Sequence, residues 1–125
     1  MAQYSSLPLY RQTVELVAHI ERAMGKTSRQ YRYTFGERMT TTALHLPMDF
    51  YRIYDEQDHE KKILLFDTFL QHLKELKTLL DVAHQLGLFT YKDFPVIIEK
   101  VDSVERQING FYNKTAKVSV TKGNR

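Results

Sequence analysis

The chain contains no cysteine. That removes disulfides, iron–sulfur clusters, thiolate zinc sites and cysteine nucleophiles together, and it suits a reducing compartment. Only 5 glycines and 3 prolines occur in 125 residues, which argues against a loop-rich sandwich or a Rossmann-type α/β fold. No apolar run approaches the roughly 18 residues that suggest a membrane span. The first nine residues lack the basic start and apolar stretch of a signal peptide, so the expectation is a cytoplasmic, soluble protein. Charge of one sign is also scarce: 18 Lys and Arg face 15 Asp and Glu, a net of +3. Any attraction to phosphate must therefore come from where the charges sit. What remains is ordinary globular usage, 42% hydrophobic and 26% charged, which favours a packed core over disorder.

Four helical patterns divide the chain. The first covers Pro8–Met24, with Pro8 suited to a first turn and Leu9, Leu16, Val17, Ile20 and Met24 at helical spacing; Gly25 follows as a cap. The second is expected to start at Thr34, because Thr34-Phe35-Gly36-Glu37 fits a capping box. Its stripe is Phe35, Met39, Ala43, Leu46, Phe50 and Ile53, with a kink expected at Pro47. The third covers residues 59–86, where Phe66, Phe69, Leu73, Leu76, Leu80 and Ala83 form a heptad-like seam ended by Gly87. The fourth begins within residues 90–94 and carries Phe94, Ile97, Val101, Val104, Ile108, Phe111 and Tyr112 on one face. Amphipathic helices with short connections predict an all-α, antiparallel up-down-up-down four-helix bundle over residues 1–114. The Lys/Ser/Thr-rich residues 115–125 read as a flexible basic tail.

Charge is uneven along this frame. Arg22, Lys26, Arg29, Arg32 and Arg38 stand against Glu37 alone, the turn around residues 55–60 is acidic, and no acid follows Arg106. The basic stretch with Tyr31, Tyr33 and Phe35 interleaved has two readings. In one, its arginines take phosphates and its tyrosines stack on unpaired bases. In the other, Tyr33 and Phe35 plug the end of the core while the arginines stay solvated. Lys114, Lys117 and Lys122 would be secondary phosphate contacts.

Enzyme signatures are missing: there is no G-x-S-x-G, no phosphate-binding glycine loop and no paired-carboxylate cleft. A di-metal bundle needs Glu-x-x-His on two helices, whereas His59 and His84 fall on one helix, about 37 Å apart. His19, His45 and His72 flank the apolar stripes without an acidic partner at useful spacing. Neither a metal nor a cofactor is expected, nor catalysis. Gly110 interrupts the fourth helix off its main stripe, where either a second surface approaches or a glycine is tolerated.

Tyr31-Arg32-Tyr33-Thr34-Phe35-Gly36-Glu37-Arg38-Met39 resembles the Y-x-Y-T-x-G-E-[RK]-[LM] signature of the Avd family, the accessory variability proteins of diversity-generating retroelements. Leu7-Pro8-Leu9-Tyr10 resembles that family's opening, and Ile108-Asn109-Gly110-Phe111 is similar to its L-G-G-W. The resemblance implies a pentameric ring of four-helix bundles, with Gly110 at the interface between protomers. It also implies association with the element's reverse transcriptase and with RNA template or cDNA during mutagenic retrohoming. The implied nucleic-acid contacts are Arg22, Lys26, Arg29, Tyr31, Arg32 and Arg38. The alternatives are a protein-only helical adaptor and a four-helix protein of the type encoded in intervening sequences of 23S ribosomal RNA.

Overall fold

The computed structural model describes the backbone of residues 3–123 and the side chains of residues 4–116. Its long helices are α1 (Pro8–Met24), α3 (Glu37–Asp55), α4 (His59–Gln85) and α5 (Asp93–Gly123). A three-residue helix α2 (Arg29–Tyr31) and a π-helical turn (Arg32–Gly36) lead into α3. No strand occurs among the described residues, and the architecture is a four-helix bundle.

Each long helix follows its apolar spacing. In α1 the buried positions are Leu9, Thr13, Leu16, Ile20, Ala23 and Met24, a repeat of four and three that keeps one face inward. Thr13 fits this face because its hydroxyl donates to the Tyr10 carbonyl at 2.6 Å, so burial strands no polar group. In α4 the expected seam is the buried one, Phe66 through Ala83. Asp58 caps that helix by accepting the Lys61 amide at 3.2 Å.

The end of α4 shows why Gly87 is glycine. Its φ of +67° lies where a Cβ is penalised. The turn lets Gly87 N–H reach the His84 carbonyl and Leu88 N–H reach the Ala83 carbonyl. These are the two bonds of a Schellman cap. Thr90 then caps α5 by accepting the Asp93 amide at 3.0 Å.

Packing closes a four-sided arrangement: α3 lies against α1 and α4, and α5 lies against α1 and α4. Phe50, Phe66 and Phe69 are the largest fully buried side chains. Phe111 bridges Phe50 and Phe66 with ring centroids 6.3 and 5.4 Å away. Burying each such ring contributes about 1.5–3 kcal/mol relative to exposure.

One sequence expectation changes. The second long pattern does not start at a Thr34 cap. The Thr34 hydroxyl donates to the Gln30 carbonyl at 2.8 Å, and helical backbone begins at Arg29 behind an extended Ser28. The four-residue spacing Tyr31, Phe35, Met39, Ala43 drifts around an ideal α-helix. A π turn, closed by i→i+5 bonds, absorbs part of that drift. Past the expected bundle boundary at residue 114, α5 runs on to Gly123, and the side chains of residues 117–125 lie outside the described residues.

Candidate functional site

The basic stretch emerges at one end of the bundle, between α1 and α3. Arg29 and Arg32 are exposed there, and Tyr33 is 61% exposed. The Arg29 guanidinium lies 5.6 Å from the centre of the Tyr33 ring, within reach of a cation–π contact. A cation at the start of a helix opposes the macrodipole, so helix stability does not explain Arg29. Tyr31 differs from Tyr33: it is half-buried and packs on the core with Phe35. The core plug is therefore Tyr31 and Phe35, and Tyr33 is the free ring.

Beside this edge a cleft of about 430 Å³ is lined by Glu21, Arg32, Tyr33, Glu37 and Thr40, among others. Thr40 Oγ1 donates to the Glu21 carboxylate at 2.6 Å. Carboxylates, a guanidinium and an exposed ring together give the cleft both donors and acceptors.

The other expected contacts separate. Arg22 is exposed in the last turn of α1, where a cation complements the dipole. Lys26 is engaged: its Nζ donates to Asp93 Oδ2 at 2.9 Å across to the start of α5. That hydrogen bond from Lys26 holds the Asp93 carboxyl below its ordinary value; burial works against it, and the Thr90 bond and the charges of Lys26 and His19 reinforce it. Arg38 faces a different groove, with Thr42 and Leu79, next to Glu75 of α4. Lys114 lines a groove with Leu7, Pro8 and Gly110, far along α5 from Asp93. The side chains of Lys117 and Lys122 lie outside the described residues. Among those described, no carboxylate salt-bridges Arg22, Arg29, Arg32 or Arg38.

Gly110 is exposed, and a Cβ built on it meets nothing within 4 Å. Nothing among the described residues demands glycine there.

The histidines were misjudged from sequence. His19 Nε2 lies 3.6 Å from Asp93. His72 Nδ1 donates to Asp49 at 2.5 Å, and the His45 ring stacks on that of His72 at 4.1 Å. His45 and Asp49 are four apart on one helix, which was legible. Their partner His72 comes from the next helix, so local spacing could not supply it.

No protein-family model matches the chain, and no curated protein matches it.

Proposed function

We propose that the protein is a non-enzymatic, nucleic-acid-binding accessory subunit of a diversity-generating retroelement. It would act as a homo-oligomeric ring with the element's reverse transcriptase and its RNA template or cDNA. The observation that carries this reading is the exposed Arg29–Tyr33–Arg32 edge, two cations without carboxylate partners flanking a free aromatic ring. Guanidinium groups neutralise phosphates, and an open tyrosine stacks on unpaired bases irrespective of sequence.

Cross-helix contacts support the antiparallel order that such a subunit requires. Between α1 and α5, Gln12 meets Ser103 and Gln107, Glu15 meets Lys100, and Lys26 meets Asp93. The first and third loops thus share an end, and the basic edge of each protomer can gather on one face of a ring. Among the described residues, no helix is long and apolar enough to cross a membrane.

The test is binding of labelled structured RNA across a salt series, read by anisotropy. Affinity should fall steeply with salt because phosphate neutralisation releases counterions. The R29E/R32E double variant should lose at least about tenfold in affinity, about 1.4 kcal/mol or more, with the oligomer intact. Binding unchanged in that variant removes the edge from the reading.

A protein-only adaptor is the second reading, favoured by the exposed apolar side chains Leu44 and Met48 on α3 and Val82 of α4 with Leu86 just past its end. Each pair is four apart and so shares a helix face. Absence of RNA binding at low salt would select it.

A further inference from the structure

A side-chain cluster outside the basic edge has the composition of a metal site. His45 and Asp49 project from the same face of α3, and His72 faces them from α4. One ligand atom from each lies within 4.8 Å of the other two. The geometry points to a two-histidine, one-carboxylate site for a divalent transition-metal ion, with zinc the best fit, joining α3 to α4.

The surroundings of Asp49 favour an ion there. Asp49 is 1% exposed, and burying a carboxylate is costly unless a strong partner offsets the lost hydration. Its present partners are His72 and, at 3.8 Å, the Arg52 guanidinium, which is too long for a hydrogen bond. The two imidazoles lie beside it, stacked with centroids 4.1 Å apart, and one ring must turn out of the stack for both in-plane nitrogen lone pairs to meet a single ion.

The donor set selects the ion. Two imidazole nitrogens with one carboxylate suit zinc or ferrous iron, with cobalt as a spectroscopic stand-in, whereas magnesium and calcium prefer all-oxygen shells. Tetrahedral zinc with bonds of about 2.0–2.1 Å places its donors about 3.3 Å apart. The Asp49–His72 pair must therefore open from its direct hydrogen bond, and the ion takes the place of the proton between them. Arg52, near the other carboxylate oxygen, stays available to orient Asp49. His45 and His72 are only half-buried, so a fourth position remains open to water or to a partner's side chain. This inference does not depend on nucleic-acid binding.

The experiment uses the full chain, free of any polyhistidine tag and stripped with chelator. It is titrated with zinc, then with cobalt, using magnesium as the control ion. Calorimetry should show one zinc per chain, cobalt should give the visible absorption of a low-symmetry site, and zinc should raise Tm by several degrees while magnesium does not. The His45→Gln variant keeps the Asp49–His72 pair and so keeps the fold. It should weaken zinc binding at least tenfold, whereas the His59→Gln/His84→Gln variant should bind as the parent does. No stoichiometric binding, or binding that His45→Gln leaves unchanged, overturns the assignment.

Discussion

Gly36 and Gly110 both sit in helical segments, yet they face opposite consequences of gaining a methyl group. A Cβ at Gly36 would lie 3.0 Å from Met24 Cε and 3.2 Å from the Tyr31 carbonyl oxygen. The methionine end can swing away, but the carbonyl belongs to the helical backbone of α2. Gly36→Ala should therefore destabilise by about 1–3 kcal/mol despite its better helix propensity. At Gly110 the space is open, and Gly110→Ala should stabilise an isolated protomer by roughly 0.5–1 kcal/mol. Urea unfolding of both variants reads the two signs; equal signs would mean that the space around Gly36 relaxes. Asp93 gives a prediction in pH. Its carboxyl lies below the usual value because Lys26 hydrogen-bonds it. A depressed carboxyl contributes stability that is present above its unfolded pKa of about 3.9 and is lost as pH falls through the lower folded value. Tm of the parent should thus drop more steeply than that of Asp93→Asn on acidification from pH 5 to pH 2.

At the scale of the element, period decided what the sequence could reveal. The stripes of α1, α4 and α5 are legible because one face is buried at a steady three-and-four spacing, and Asp58 and Gly87 punctuate α4 with residues that serve little else. The start of the α3 segment was misread because threonine plays two roles. Thr34-x-x-Glu37 fits a capping box, but the same hydroxyl can bond back to a carbonyl four residues earlier, and here it does. The apolar spacing of Tyr31 with Phe35 was the available signal that helix continues upstream. A paired measurement separates the roles: Asp58→Ala, which removes a working cap, should cost about 1 kcal/mol. Thr34→Ala should change stability by no more than about 0.5 kcal/mol. A loss at Thr34 as large as that at Asp58 would restore the cap. The candidate sites were harder to read, since charge and histidine partners arrive from other helices. Asp93 reaches Lys26 and His72 reaches Asp49 only once the bundle forms.

On the scale of the whole molecule, the proposed contacts Arg29 and Lys114 lie toward opposite ends of the bundle. Arg29 and Arg32 stand with the α1–α3 end, while Lys114 lines a groove with Leu7 and Pro8 at the start of α1. The length of α1, 17 residues, puts about 25 Å between those ends. One protomer thus offers few phosphates' worth of charge at either end, and under the proposed reading tight RNA binding would require several protomers to present their Arg29 edges together. The open groove at Gly110 is where the proposed neighbour would approach. Gly110→Trp is the corresponding test, because an indole there meets no atom of its own chain at the Cβ yet fills space a neighbour would need. Helical content by circular dichroism should be unchanged. Sedimentation should show mass falling toward the 14.8 kDa protomer, and the salt slope of RNA affinity should flatten with it, since the slope counts phosphates neutralised together. An oligomer that survives Gly110→Trp would place the interface elsewhere, and a slope that stays steep in the protomer would mean that a single edge suffices.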